Sequence, residues 1–537
     1  MDGMILTLIL LAPLAGMALI LLLPDRDEQS TNLPAWLALL TSLFTFACTL
    51  HLPAHFVAHQ TGFQFEENLA WINSPAIRYH VGVDGLSLWL VVLVGLLAPV
   101  GVLASWRAVK KDRKLFYALF LLQQTAMVGV FVSLDLMLYY GFWELSLIPI
   151  AVLTAMFGRN LGDASAAKAA LRFFLYTFIP SAPLLVALLW LYAHTGSFDY
   201  ATVQAAIASG TLPGWQLAWV SVAFLIAFAV KVPVLGLHGW LPDLFSEAPV
   251  AIAMIAAGKL GLYSLIRFHV ELFPALAHRA APWMIALAAV GILYGALLAL
   301  VQKDFWKLLA YATLGSLSFC TLGIYGFTAA GMSGAVLQTL NEGIIGAALF
   351  LLFGVLYEPA SASKLADFGG LATKTPRLAT LFTIASLALI GLPLLNGFVG
   401  EFLVLSGTFT GVSRVWATVA ALGVILSAAY MLGAIQKIFL ATGAPAHATG
   451  HAAGHPSATA RDLTGSETVA VALLALLMLA LGIQPGLATD AIEPALQSIT
   501  QSLRMGAQSR NAANLSPTHP ESATVIASSP ANLKGGR

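Results

Sequence analysis

The sequence predicts an all-α, polytopic membrane protein of about fourteen transmembrane helices, because apolar runs of about 20 residues, enough to cross roughly 30 Å of hydrocarbon, recur along its whole length. Of its 537 residues, 59% are hydrophobic and 9% charged, whereas a soluble domain carries about a quarter charged residues. Nothing alternates like a barrel strand, and lipid offers backbone amides no partner, so the spans are helices.

The first run is Met4–Leu23. It lacks a basic leader and is followed by Pro24-Asp25-Arg26 rather than a small-residue cleavage site, so it reads as a retained span. Leu33–Leu50 is the second, and a longer polar connection follows it. Spans 3 to 6 are Leu86–Trp106, Leu115–Val132, Leu136–Phe157 and Ala169–Tyr192. Spans 7 to 11 are Gln216–Leu237, Val250–Phe273, Trp283–Leu300, Leu308–Phe327 and Ala335–Tyr357. Leu378–Thr408, Val415–Phe439 and Glu467–Ile483 complete the set. Gly443–Ala460 is an Ala/Gly/His-rich connection whose glycines make a solvated loop of it, although the four-residue spacing of His447, His451 and His455 would suit a metal on a helix. Beyond about Met505 a Ser/Asn/Pro-rich tail is expected to be disordered.

Loop charges set an orientation. Arg107, Lys110, Lys111, Arg113 and Lys114 follow span 3, Arg159 and Lys168 span 5, Lys303 and Lys307 span 9, and Lys364, Lys374 and Arg377 span 11. These loops share one side. The opposite loops hold few basic residues, chiefly Arg78, Arg279 and Arg414. The positive-inside rule puts the basic side in the cytoplasm and both termini on the other side.

Composition also excludes functions. A net charge of +1 argues against a nucleic-acid partner. Cys48 and Cys320 form no CxxC or four-cysteine cluster, which argues against iron–sulfur and structural zinc. No glycine-rich dinucleotide fingerprint or Walker motif is present, so no nucleotide or flavin cofactor is expected in this chain. A haem would want paired histidines inside spans. His51, His55, His59, His80, His194 and His278 lie in connections, and His269 sits near a span end beside Arg267.

An ionisable side chain inside a bilayer is costly and marks function by default. Glu144 lies in Tyr139-Tyr140-Gly141-Phe142-Trp143-Glu144-Leu145, and Lys231 in Phe228-Ala229-Val230-Lys231-Val232-Pro233. Lys259 lies in Ala256-Ala257-Gly258-Lys259-Leu260-Gly261, Glu401 follows Phe398-Val399-Gly400, and Glu342 falls inside Ala335–Tyr357. Snorkelling toward a span end is the bland alternative for Lys231 and Glu401, which stand near prolines. For Glu144 and Lys259 the alternative is a fixed structural ion pair. In the functional reading, burial disfavours a charge and an approaching opposite charge favours it, so a lysine and carboxylate whose separation varies take up and release a proton.

Two breaks support that reading. Lys231-Val232-Pro233 and Gly391-Leu392-Pro393-Leu394-Leu395-Asn396-Gly397 interrupt spans 7 and 12, and discontinuous helices at matching places in two halves mark ion sites. Their odd offset inverts topology, making spans 4–8 and 9–13 candidates for inverted repeats. The chain then divides into 1–114 (spans 1–3), 115–273 (first repeat), 274–440 (second repeat), 441–485 (His/Ala/Gly-rich loop and span 14) and 486–537 (tail).

At these residues the sequence resembles the antiporter-like membrane subunits of respiratory complex I, in their chain-M branch. The resemblance runs from about Met4 to Ile483, on Gly82-Val83-Asp84-Gly85-Leu86-Ser87, Phe142-Trp143-Glu144, Leu147-Ile148-Pro149, Leu237-His238-Gly239-Trp240-Leu241-Pro242-Asp243, Ala248-Pro249 and Asn396-Gly397-Phe398-Val399-Gly400-Glu401-Phe402. Glutamate rather than lysine at Glu401 selects chain M over its sister chains L and N. The resemblance implies fourteen helices in two inverted five-helix repeats with helices 7 and 12 broken. It implies a bacterial inner-membrane subunit with L- and N-like neighbours, moving protons while partner subunits hold the redox centres. By the same resemblance, Glu144 and Lys231 are the coupled pair of the cytoplasm-facing half, Lys259 the relay toward the centre and Glu401 the exit group. His238 is a lining residue near the broken helix, or a loop-facing ring; Asp135 fits a family position, or only caps a helix.

The sequence departs from the family at several points. A histidine common after Pro-Asp is Phe245, the Ser-His-Met-Gly of span 10 is Gly315-Ser316-Leu317-Ser318, and the span-11 histidine is Glu342. Asp304-Phe305-Trp306-Lys307-Leu308-Leu309-Ala310-Tyr311 keeps only part of a family pattern. Pro249–Lys259 is shorter by about one helical turn. Imidazoles are thus missing where a group titrating near neutrality is most useful. Water and Glu342 complete a modified path, or else the path is cut and the chain is a structural paralogue. An Mrp-type cation/proton antiporter or membrane-bound hydrogenase subunit is the reading from another class.

Overall fold

The computed structural model describes residues 2–24, 32–162, 164–256, 258–441 and 460–515. Among them, twelve helices are long and apolar enough to cross a membrane. Two shorter apolar helices, α1 (Ile5–Leu21) and α16 (Pro376–Leu389), stand at the first and twelfth expected spans. The His447, His451 and His455 stretch and the residues after Leu515 lie outside the described residues.

After α1 comes α2 (Leu33–His55), and the polar connection beyond it folds as an antiparallel hairpin, β1 (Gln64–Ile72) and β2 (Ile77–Val83). The sequence reading expects only a polar connection here, with no strand. Most of β1 is exposed, so it lacks the apolar alternation that reveals a half-buried strand. Next are α3 (Leu88–Ser105), α4 (Arg113–Val132), and α5 (Leu136–Leu145) with α6 (Leu147–Phe157), a single span interrupted at Ser146. Asp135 caps α5, accepting from the amides of Met137 at 2.9 Å and Leu138 at 3.0 Å. The long α7 (Ser165–Thr195) and short α8 (Tyr200–Ala208) lead to α9 (Gly214–Lys231).

Here the chain breaks as expected. Pro233 has no amide to continue the helix, and the Val230 carbonyl is taken instead by the Trp240 indole at 3.0 Å. α10 (Leu241–Glu247) resumes, followed by α11 (Val250–Ala256), then α12 (Lys259–Ser264), which ends in a π-helical turn, Leu265–Val270. Gly258, at φ +29°, forms the joint between α11 and α12.

The second half contains α13 (Pro274–Val301), α14 (Phe305–Tyr325) and α15 (Ala329–Ala360). After α16 the chain turns through Gly391, at φ +70°, and resumes as α17 (Asn396–Gly411). This second break is fastened to α15 by a reciprocal pair: Asn341 Nδ2 donates to the Asn396 carbonyl at 2.8 Å, and Asn396 Nδ2 donates to Asn341 Oδ1 at 2.9 Å. Then come α18 (Arg414–Ile435), α19 (Gly465–Ile483) and α20 (Gly486–Leu515).

α20 corrects the expectation of disorder beyond about Met505, since it runs to Leu515. Ala488, Ile492, Leu496, Ile499 and Leu503 are buried on one face of it, at helical spacing, and it lies along α13 and α15. The body of the molecule inverts the soluble pattern. Ile179, Val290, Ile425 and Leu476 point outward, while Gln123, Gln124, Asn341 and the ionisable groups of the spans are inside.

Candidate functional site

The interruption at Ser146 places the end of α5 against the end of α9. Lys231 is 6% exposed, and its Nζ donates to Ser146 Oγ at 2.8 Å and to the Trp143 carbonyl at 3.4 Å. The same ammonium lies 4.0 Å from the centre of the Trp143 ring. Lys231 is also the last residue of α9, at the helix pole that favours a cation. Glu144 lies within electrostatic reach of Lys231 and beside Tyr140 and Ser181, and its buried Oε1 has no hydrogen-bond partner among the described residues. No contact ion pair within 4.0 Å joins the two. The expected couple is present, held apart, with Ser146 occupying the lysine.

A second group lies between α12, α15 and α17. Lys259 is 2% exposed and donates to the Met254 carbonyl at 3.4 Å. Its Cε runs over Gly343, where a Cβ would come within 2.8 Å of it. Glu342, also 2% exposed, lies between charges: Lys259 is within electrostatic reach on one side and Glu401 on the other. Thr313 and Ser316 of α14 flank its carboxyl, and Oε2 has no hydrogen-bond partner among the described residues. Ser316, where the resemblance expects an imidazole, is thus beside the residue that replaces the other imidazole. Glu401, 6% exposed, places Oε2 against Gly391 in the second break, 2.5 Å from where a Cβ would be.

The other expected residues fall outside these two groups. His238 is half-buried in the first break, accepts from the Gly236 amide at 3.2 Å and packs edge-on to Tyr294. Phe245 is fully buried with its ring on Phe350, an apolar contact in place of a histidine. Asp135 serves as the cap of α5.

Several buried polar residues were given no role in the sequence reading. Arg267 is paired with Asp84, from the loop after β2, and with Glu271 at 2.7 Å. His269 is fully inside, between Ser221 at 3.2 Å and Tyr325 at 3.0 Å. Gln123 and Gln124 of α4 have side-chain amides with no partner among the described residues. The i, i+4 spacing of Arg267 and Glu271 was a readable signal; the glutamines sat in a run that is otherwise apolar.

Comparison with known proteins agrees with this architecture. Residues 133–428 match the family model described as "NADH:quinone oxidoreductase/Mrp antiporter, TM". The chain is 37% identical over 484 residues to NADH-quinone oxidoreductase subunit M of Rickettsia prowazekii (strain Madrid E), covering 90% of this chain and 95% of that one. It is 35% identical over 510 residues to the protein of the same name from Rhodobacter capsulatus, covering 93% and 96%. A chain of respiratory complex I from Thermus thermophilus with bound NADH superposes with a TM-score of 0.80 at 31% identity, over 93% of this chain and 99% of that one. A chain of the Mrp complex from Dietzia sp. DQ12-45-1b shares the fold, with a TM-score of 0.77 at 18% identity, over 94% and 99%.

Proposed function

The chain belongs to the subunit M family of NADH-quinone oxidoreductases, and we infer that Glu144, Lys231, Lys259, Glu342 and Glu401 carry protons across it. It is an integral membrane subunit of a proton-translocating complex I. We place its basic loops in the cytoplasm and its termini on the other side of a bacterial inner membrane, with L- and N-like subunits as neighbours. Redox chemistry belongs to partner subunits and no redox cofactor to this chain.

The observation that carries the reading is Glu342, a buried carboxyl within reach of both Lys259 and Glu401. A buried ionisable group of that kind is expensive, and a role in transfer accounts for it. The separated Glu144 and Lys231 supply the switch. When an opposite charge approaches, both partners favour their charged forms; when it withdraws, both favour their neutral forms, the lysine giving up a proton and the carboxylate taking one. Ser146 gives the Lys231 ammonium a second resting place, so the lysine can move between serine and carboxylate. From there protons pass toward Lys259, then Glu342, flanked by Thr313 and Ser316, then Glu401 at the second break. Residues 115–273 and 274–440 act as the two halves of this path, with His238 outside the main line.

The test is redox-driven proton pumping by the assembled complex carrying Glu144→Gln, Lys231→Ala or Glu342→Gln. Pumping per turnover should fall sharply in each. Unchanged turnover and pumping in all three would favour a structural paralogue.

A further inference from the structure

A cavity of about 570 Å³ opens at the basic end of the bundle, where α3, α6, α11 and α15 meet. Its wall is apolar, with Met156, Leu161, Val250, Leu351 and Val355. Its rim is basic. Arg107, Lys110 and Lys111 are exposed there and enter no ion pair among the described residues. Glu358 and Glu467 also border it, but Arg461 engages them at 3.0 and 2.7 Å. Asp112 is the remaining acid of the lining.

Arg159 also lines the cavity. Its guanidinium stacks 3.6 Å from the centre of the Trp306 ring, and Nη1 donates to the Phe245 carbonyl at 2.6 Å. Nη2 is buried and has no hydrogen-bond partner among the described residues. A buried donor without an acceptor is costly, most of all a charged one. The cavity therefore combines a cluster of cations, unpaired among the described residues, with a hydrocarbon-compatible wall.

We propose that this cavity binds an anionic phospholipid, its phosphate on the Arg107, Lys110 and Lys111 rim, its acyl chains along Met156, Leu161 and Val355. Basic pockets between spans on the cytoplasmic side select anionic headgroups, and guanidinium groups suit phosphate oxygens. The apolar wall is what distinguishes a lipid from free phosphate, which would leave it exposed to water. The site also has a mechanical position. Val250 and Ala251, which border it, begin the helix that precedes the joint at Gly258 and Lys259.

The proposal is independent of which residues carry protons, and its test reads bound lipid. The intact complex is purified from membranes containing phosphatidylglycerol and cardiolipin, and its tightly bound lipids are quantified by mass spectrometry. The exposed-rim variant Arg107→Gln/Lys110→Gln/Lys111→Gln should lose a single anionic lipid while zwitterionic lipid and subunit content stay the same. A photoreactive residue replacing Leu161 should acquire phospholipid mass on illumination. Unchanged anionic lipid in the rim variant would overturn the proposal. So would a Leu161 adduct to a neighbouring subunit, which would make the cavity a protein interface.

Discussion

The Cε of Lys259 lies over the backbone of Gly343, the residue beside Glu342, so closely that a Cβ at that glycine would stand 2.8 Å from it. The lysine stem and the carboxylate that serves it are thereby held on one turn of α15. Leu93 approaches the same point, 2.4 Å from the imagined Cβ. Gly343→Ala forces both flexible side chains aside, at a cost of about 1–3 kcal/mol for overpacking. The complex should still assemble. Since misplacement by about 1 Å can cost on the order of a hundredfold in a positioned reaction, pumping should fall far more than assembly. Subunit content by native electrophoresis, set beside pumping in vesicles, separates the two; equal loss of both would refute a positional role.

A parallel argument applies at the second break. Gly391 has φ +70°, and its missing Cβ leaves room for Glu401 Oε2. Gly391→Ala adds backbone strain of about 1–2 kcal/mol and displaces the carboxyl. Gly236, at φ +92° in the first break, has nothing within 4 Å of its Cβ position, so Gly236→Ala carries the strain without the contact. Pumping should drop in the Gly391 variant and hold in the Gly236 variant. Equal effects would assign the glycine to backbone conformation alone.

Much of this site was legible because charges stand out in lipid-soluble sequence. Glu144, Lys231, Lys259, Glu342 and Glu401 announced themselves by polarity, and Pro233 and Pro393 announced the breaks. What was hidden depends on tertiary partners. Nothing in Ser146 or Ser316 says that the first binds a lysine and the second flanks a carboxyl. The Asn341–Asn396 pair joins residues far apart in sequence, and the hairpin Gln64–Val83 was obscured by its exposure. Only the fold shows that span 8 is divided by a joint at Gly258, next to Lys259.

Arg267 is a structural counterpart to these mobile groups. It is held by Asp84 and Glu271 with its side chain 3% exposed, tying the loop after the hairpin to the end of span 8. Removing one member of a buried ionic cluster costs about 3–5 kcal/mol, because the remaining charges stay buried. Arg267→Ala should lower the melting temperature of the complex or release the subunit. An unchanged melting curve would show that the cluster does not hold the bundle together.

Outside the membrane, His80 Nδ1 lies 2.7 Å from Asp199 Oδ2 and fastens β2 to the cap of α8. Burial alone would raise the Asp199 carboxyl, but the His80 hydrogen bond and the Thr202 amide outweigh it and hold it below the usual carboxylate range. A carboxyl lowered on folding stabilises above its unfolded value, about 3.9 for Asp, and that stability is lost as pH falls through the lowered value. Hydrogen exchange in β2 and α8, corrected for intrinsic rates, should therefore accelerate on acidification below about pH 4. Asp199→Asn should remove this acid-dependent step; the same acid response in both proteins would exclude Asp199 as its source.

The sharpest test of the central path uses the residue that the family resemblance would have placed there. Glu342 sits beside Thr313 and Ser316 and between Lys259 and Glu401. If its task is to hold and pass a proton, any group of similar reach that titrates near neutrality can do it, and an imidazole does. Glu342→His should then keep much of the pumping that Glu342→Gln loses, although glutamine is closer to glutamate in shape. General acid–base transfer by a positioned side chain is worth roughly 10²–10⁴-fold, so the gap between the two variants should be large compared with any packing effect. A structural role predicts the opposite order, with the isosteric glutamine tolerated and the histidine ring disruptive. Pumping and assembly measured on both variants decide between a relay and a filler at this position.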